Sequence, residues 1–415
     1  MVSQVFNSGD PAGTSRPLSG VRVLAAESFL AGPFCSMRLA DAGAEVVKIE
    51  SPDGGDAYRS MTPVKTGEDG VERGLNFLRP NRNKKSVTLD LKHPDGKRIF
   101  KQLISEADVF IENLRPGVMD KLGLGWAVLH ELNPRLVYTA ISGFGHNDFL
   151  PSPYAEHPAF DIVGQALSGL MYRPERQGER PVYLGFSLGD LEAGILAAYG
   201  TMLALFQRQT TGKGQMVDIS IYDACLALND IAIAMYSMSK QRAKPGLPAV
   251  AAPFGTYKAS DGYLVIAVVA ELIWERFCKA IERRDLLQDE RFKDGVSRYI
   301  HLDALDANIE QWLASRTRAQ AVDALLAHGV PASMVNEVED LFDCPHVAAR
   351  NMLITLNDPA WGPIQVAGNP IKMSDVPEPA ATHPPELGQH TGDVLRRWLK
   401  TGEEQIADLR ARRVI

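Results

Sequence analysis

Short β-rich runs alternate with helical ones, and this alternation restricts the fold more than any other feature. "VRVLAAE" (Val21 to Glu27) leads into "GPFCSMRLADAGA", which has helical spacing, and "EVVKIE" (Glu45 to Glu50) follows. A strand, a helix and a strand within about thirty residues is the βαβ unit of a parallel sheet. The unit recurs as "KSVTLDL", "PDGKRIFKQLISEA" and "DVFIENL", and "RLVYTAISGFG" adds a further strand. Such a chain is expected to form an α/β doubly wound domain. "GQMVDISIYDACLAL" supplies another strand and helix. No G-x-G-x-x-G follows the first strand, where Gly32 stands alone, so the dinucleotide fingerprint is missing. "TGKG" (Thr211 to Gly214) lacks the P-loop spacing and reads as a helix C-terminus closed by glycine.

The pattern changes after "KQRAKPGLPAVAAPFG", a Pro-, Gly- and Ala-rich crossing loop. From there to Glu339, a hairpin turning at Ala259 to Gly262 and several amphipathic helices read as a smaller α+β domain. Short strands return in "LITLN" and "PIQVAGNPIKM", and the helix "TGDVLRRWLK" has the spacing to dock back on the first domain. The expected divisions are a loose polar tail over 1–17 and a large α/β domain over 18–225. A linker and small domain over 226–340 and a return to the large domain over 341–415 complete the chain.

Composition narrows the partners. Lys plus Arg number 44 against 51 Asp plus Glu, a formal charge of -7, and no basic stripe interleaved with aromatics appears. A nucleic-acid partner therefore has no electrostatic footprint, and a small molecule is expected. Cys35, Cys225, Cys278 and Cys344 show no C-x-x-C spacing, which argues against a disulfide framework or a metal site and suits a reducing cytoplasm. The first twenty residues lack the cationic flank and apolar core of a signal peptide. The most apolar segments carry Gly, Gln or charge too often for a bilayer span, so no membrane partner is expected.

The chemistry concentrates in "YLGFSLGDLEAGILAAYG" (Tyr183 to Gly200), which offers two nucleophiles. Gly185, Ser187 and Gly189 spell the G-x-S-x-G elbow of serine hydrolases, with "VYL" as the strand before it and His301 or His390 available downstream. No HGGG-like oxyanion motif precedes it, and the strand would be very short. Asp190 stands at the start of a run that is apolar on every face and reads as a buried helix. An aspartate there is either a helix N-cap or an ionised nucleophile able to form an acyl anhydride. Gly189 beside it is expected to let substrate approach the backbone closely.

A longer pattern bears on this choice. "GPFCSMRLADAGAEVVKIESPDGGDAYR", "PNRNKKSVTLDLKHPDGK", "ADVFIENLRPGVMDKLGL", "LVYTAISGFG", "FDIVGQALSGLM", "LGDLEAG", "RQTTGKGQMVDISIYDA" and "LGQHTGDVL" fall in one order from Leu18 to Leu399. Together they resemble the class III CoA-transferase family of CaiB/BaiF type, which includes formyl-CoA transferase and dicarboxylate CoA-transferases. The resemblance makes Asp190 the nucleophile. It implies a Rossmann-like large domain built from N- and C-terminal segments, a smaller α+β domain, and two such open rings interlocked as a homodimer. No tightly bound cofactor is implied, since coenzyme A enters as part of the substrate.

The resemblance also implies positions for the acyl-CoA. Phe29, Leu30 and Ala31 should line the thioester end. Asn81, Arg82 and Lys84, with Asn113, Leu114, Lys121 and Leu122, should meet the nucleotide portion, and Asp161 should lie near the nucleophile. The family's covering loop falls at Lys244 to Pro253, where only Gly246 remains of a glycine-rich segment. Leu30 and Ser142 replace a glutamine and a lysine of formyl-CoA transferase, which argues against formyl-CoA or oxalate. Succinyl-CoA is the implied donor, with malate, citramalate, itaconate or glutarate as acceptors. The family also holds α-methylacyl-CoA racemases, whose proton-moving histidine is replaced here by Phe160, with His157 three residues early. A CoA-binding module without activity is the remaining alternative. His390 and Cys35 are expected to be structural.

Overall fold

The computed structural model describes residues 16–147, 149–172, 180–240, 251–378 and 381–415. The expected tail over 1–17 and the covering loop over 244–253 therefore lie mostly outside the described residues. Two compact units are present, one formed by the chain up to Tyr172 with Tyr183–Asp230 and Asn351–Ile415, the other by Ile231–Arg350 with the residues just before Tyr183. The return to the first unit thus begins about ten residues after the expected position.

The first unit is built on β1 (Arg22–Ala26), α1 (Ala31–Asp41), β2 (Glu45–Glu50), β3 (Lys84–Thr88), α2 (Pro94–Ser105), β4 (Val109–Glu112) and β5 (Val137–Ser142). It continues with α3 (Asp161–Leu167), α4 (Leu188–Thr211), β6 (Met216–Ser220) and α5 (Ile221–Ala227). Six parallel strands lie in the order β3-β2-β1-β4-β5-β6, the order of doubly wound dinucleotide-binding sheets. The order reverses between β1 and β4, so a crevice opens at the carboxyl ends of these two strands.

Alternation along β1 explains why both faces are covered. Leu24 and Ala26 face a core with Val47, Phe110 and the stripe Ile99, Phe100, Leu103, Ile104 of α2. Pro94 opens α2, and the side chain of His93 accepts from the Asp95 N–H as its cap. Val23 and Ala25 face the other way, against Cys35 and Leu39 of α1 and Ala193, Ala197 and Ala204 of α4. The C-terminal helix α9 (Thr391–Leu399), named after the elements of the second unit below, sets Val394, Leu395 and Trp398 into the first of these cores, as its spacing predicts. Gly212 closes α4 with φ 69°, as expected from the "TGKG" stretch.

α4 departs from its expected full burial. It packs on α1, β5 and β6, but Ile195, Tyr199, Leu203 and Phe206 form an exposed apolar stripe along the opposite side. By length and composition alone α4 could cross a membrane, yet its inner face is core of the sheet domain.

In the second unit β7 (Phe254–Ala259) and β8 (Gly262–Ala267) form the expected two-residue hairpin, and β9 (Ala332–Met334) pairs with β8. Helices α6 (Glu271–Ala280), α7 (Leu302–Leu313) and α8 (Arg318–Ala327) bury Trp274, Phe277, Leu305, Ile309 and Leu325 around that sheet. Back in the first unit, β10 (Leu353–Asp358) and β11 (Gly362–Ala367) pair as an antiparallel ribbon before α9.

Candidate active site

Asp190 occupies the first turn of α4, three residues after the N-cap Ser187, and so does not cap the helix. Ser187 makes no capping bond either. The cap comes from another helix. Asp161 of α3 accepts from the Gly189 N–H at 2.7 Å and the Asp190 N–H at 3.3 Å through one carboxylate oxygen. Its second oxygen accepts from Gln165 Nε2 at 2.7 Å and the Tyr183 hydroxyl at 3.3 Å. A Cβ on Gly189 would stand 2.6 Å from Cys225 Sγ and 3.1 Å from Asp161. Gly189 is therefore small so that α5 and the cap can close on it, and the expected role in substrate approach is replaced by packing.

Because Asp161 satisfies the helix N-terminus, the Asp190 carboxylate is left without hydrogen-bond or ionic partner among the described residues. Burial, with the like charge of Asp161 added, pushes its pKa from 3.8 up to about 7. The dipole of α4 acts in the opposite direction and keeps the ionised form accessible. An unpaired, partly buried carboxylate costs a fold stability, and such groups concentrate where chemistry uses them.

The crevice at the sheet's reversal point opens beside this helix. Asn113, after β4, clasps the loop after β1, its side-chain oxygen accepting from Ser28 N–H at 2.9 Å and its amide donating to Ser28 C=O at 2.8 Å. Phe29 follows in the left-handed region, φ 63°. That strained turn is held by Asp56, which accepts from Ser28 Oγ at 2.8 Å, Phe29 N–H at 3.1 Å and Tyr58 N–H at 3.0 Å. Asp56 in turn pairs at 2.8 Å with Lys48, fully buried in β2, which also donates to the Glu27 carbonyl. The Phe29 ring stands edge-on to Tyr58 at 5.5 Å and Phe160 at 5.8 Å. A Cβ on Gly194 would lie 2.9 Å from the Ala31 carbonyl, so α4 approaches α1 closely one turn below Asp190. Phe29, Leu30, Ala31, Asn113, Asp161 and Asp190 are thus brought to one region of the fold.

The "NRNKKS" residues are not. Lys84 is buried, and its ammonium donates to Glu27 Oε1, Pro33 C=O and Asn81 Oδ1 at 2.8, 2.8 and 2.9 Å, which uses all three donors. Arg82 forks onto Asp41 at 3.1 and 2.6 Å and donates to the Ala367 carbonyl. The expected phosphate contacts of Asn81, Arg82 and Lys84 are therefore replaced by internal ones. Leu114 and Leu122 pack against the core, while Lys121 is exposed.

Ser187 lacks the setting of an elbow serine. Residues 180–187 form no strand, and no histidine bonds to it among the described residues. His301 bonds only the Ser297 carbonyl through its ring, and His390 exchanges bonds with Ser86 of β3. His157 packs its ring against Tyr154 and Phe144. Cys35 is core, its thiol raised far above the ordinary range by burial. Ser142 accepts from the Gly145 N–H inside its own turn. Among the described residues no cluster of His, Cys, Asp and Glu could hold a metal ion.

Comparison with known families decides the class. The family model described as CoA-transferase family III matches residues 18–391. The chain belongs to that family. Succinyl-CoA–D-citramalate CoA-transferase of Chloroflexus aurantiacus is 37% identical over 96% of this chain and 98% of the relative. Succinyl-CoA–L-malate CoA-transferase beta subunit of the same organism is 35% identical over 98% of this chain and 100% of the relative. Succinyl-CoA:mesaconate CoA-transferase of Haloarcula hispanica is 37% identical over 91% and 95%. A crystal structure of a CaiB/BaiF family protein from Brucella suis superposes with a TM-score of 0.80 at 31% identity, covering 92% of this chain and 100% of that one.

The protein is thus a family III CoA-transferase that transfers CoA between an acyl-CoA and a carboxylate. In this family III CoA-transferase several site residues escaped the sequence reading. Asp56, Lys48, Tyr58 and Gln165 carry no motif of their own, although a lysine inside the apolar strand "EVVKIE" signals a buried charge that must have a partner.

A raised carboxylate pKa stabilises the fold below its unfolded value and withdraws that stability as pH rises through the folded one. Asp190→Asn should therefore be more stable than wild type at pH 8, by at most about 4 kcal/mol, with the gain vanishing below pH 4. Thermal unfolding of both proteins across that range checks this, and an equal difference at every pH would refute the unpaired state of Asp190.

Proposed function

We propose that this CoA-transferase takes CoA from succinyl-CoA and delivers it to a second dicarboxylic acid of the malate, citramalate or itaconate kind. The observation that carries the reading is the half-buried, unpartnered carboxylate of Asp190 at a capped helix N-terminus. The curated relatives that span the chain support the substrate class, since their names pair succinyl-CoA with malate, citramalate and mesaconate.

In this mechanism a carboxylate oxygen of Asp190 attacks the thioester carbonyl, the C–S bond breaks, and an aspartyl–acyl anhydride and CoA thiolate form. The thiolate attacks the aspartyl carbonyl and expels the donor as its free carboxylate, leaving an Asp190–CoA thioester. The acceptor carboxylate then attacks that thioester, and the released thiolate takes the acceptor's carbonyl from the second anhydride. Asp190 is regenerated without net proton transfer. Both anhydrides hydrolyse readily, so water must be kept from the site during turnover. Phe29, Leu30 and Ala31 would line the thioester end, and exposed Lys121, which makes no ion pair among the described residues, is suited to a phosphate of the nucleotide portion.

The same reading includes a homodimer of interlocked rings and a cytoplasmic location. The exposed stripe Ile195, Tyr199, Leu203 and Phe206 on α4 supports the dimer, since a second copy would cover it. The cysteines, free among the described residues, suit the location.

Incubation with succinyl-CoA and trapping with borohydride or hydroxylamine should modify Asp190 alone, as read by peptide mass spectrometry. Modification of Ser187, or full exchange activity in Asp190→Ala, would sink the reading. Sedimentation should show a dimer that Phe206→Glu dissociates, whereas a monomeric wild type would contradict the assembly.

A further inference from the structure

A dicarboxylic acyl group brings a charge that the transfer itself does not use. One of its carboxyl carbons is the thioester or anhydride at Asp190, and the other stays an ionised carboxylate. In a site where Asp190 and Asp161 are already acidic and water is excluded, a third negative charge requires a cation.

Most cations near the crevice are spent. Lys48 pairs with Asp56, and Lys84 has no free donor. Arg59 forks onto Glu50 at 2.8 and 2.8 Å with its face over Phe77, and Arg82 is committed to Asp41. Arg79 differs from all of them. It is exposed at the C-terminal end of the short helix Leu75–Leu78, and its guanidinium makes no hydrogen bond or ion pair among the described residues.

Its position is fixed relative to the nucleophile through Tyr58. Helix Leu75–Leu78 packs on the turn Ala57–Arg59, and Gly74 comes so close that a Cβ would stand 2.3 Å from the Tyr58 carbonyl. The Tyr58 ring meets Phe29, which meets Phe160, the residue before Asp161. The Tyr58, Phe29 and Phe160 rings thus form a run of edge-on contacts from the turn beneath the Arg79 helix to the residue before Asp161. Burial raises the pKa of the Tyr58 phenol, the charge of Arg79 acts to lower it, and the charges of Asp190 and Asp161 raise it.

We propose that Arg79 binds the remote carboxylate of the dicarboxylic acyl group, with the acyl chain lying along Phe29 and Tyr58 between Arg79 and Asp190. The inference rests on the dicarboxylate reading above. A guanidinium suits this task because its planar fork meets a carboxylate with two parallel hydrogen bonds. Arg79 is then a specificity residue for both substrates, since donor and acceptor present the same terminal group in turn.

The test compares succinyl-CoA with butyryl-CoA, which has the same chain length without the terminal charge. The rate of enzyme–CoA thioester formation is read by intact mass in wild type, Arg79→Gln and Arg79→Lys. Arg79→Gln should lose on the order of 10²-fold with succinyl-CoA and change little with butyryl-CoA, and Arg79→Lys should recover part of the loss. Equal losses with both thioesters would overturn the proposal and assign Arg79 to CoA or to the fold. No loss with either would overturn it as well. A wild type that accepts butyryl-CoA and not succinyl-CoA would instead refute the dicarboxylate reading, and the assignment of Arg79 would go with it.

Discussion

The carboxylate of Asp161 fixes the site. It gathers two N–H groups from the start of α4 together with the Gln165 amide and the Tyr183 hydroxyl, so four donors converge on one side chain. Two consequences follow. The helix N-terminus is satisfied by a residue of α3, so its end cannot drift from that helix. Asp190, in the first turn behind that cap, is left with an unpaired, half-buried carboxylate. In the proposed mechanism, the oxyanion that attacks the thioester arises from this division of labour between two aspartates. The small residues Gly164 and Gly189 hold α5 against both helices, with Cys225 and Ile221 filling the space where side chains would stand.

A second buried frame supports the other wall. Phe29 holds a left-handed backbone only because Asp56 satisfies its N–H and its neighbours, and Asp56 is held by Lys48. Removing one partner from such a buried pair costs about 3–5 kcal/mol, so the loop is a rigid part of the sheet rather than an adaptable surface. Behind it, Glu27 bridges Lys84 at 2.8 Å and accepts from Ser36, joining β1, β3 and α1 in one network. A third cluster ties down the turn after β5. Burial works against the charge of His146, but the hydrogen bond to Asp218 and the nearby charge of Glu112 outweigh it and push the imidazole up to about 9. The chain from that turn leads to Phe160 and Asp161.

The sheet was legible because each strand carries its own β-branched run and each connecting helix its own apolar stripe, as in "EVVKIE" and "PDGKRIFKQLISEA". The hairpin at Ala259 to Gly262 and the close of α4 at Gly212 were legible for the same local reason. Asp190 stood out as the candidate nucleophile only through the longer pattern of blocks, since its position alone suited a cap as well. What escaped depends on partners far apart in the chain. Lys84 meets Glu27 across 57 positions and Arg82 meets Asp41 across 41, so two basic residues expected at the nucleotide are buried on internal partners. Asp161 reaches α4 across 28 positions, which no local signal announces. The apolar circumference of α4 suggested full burial, yet Ile195, Tyr199, Leu203 and Phe206 stand exposed.

The most direct test of the account is the protonation of Asp190 in the resting enzyme. An infrared difference spectrum of wild type against Asp190→Asn isolates the carboxylic-acid carbonyl band of this one residue as pH is raised. The account predicts a band that persists to near neutral pH, with a midpoint of about 7, and that moves to lower pH in Asp161→Asn. A band already lost near the ordinary aspartate value of 3.8 would contradict the claim that Asp190 is held half-buried and unpaired.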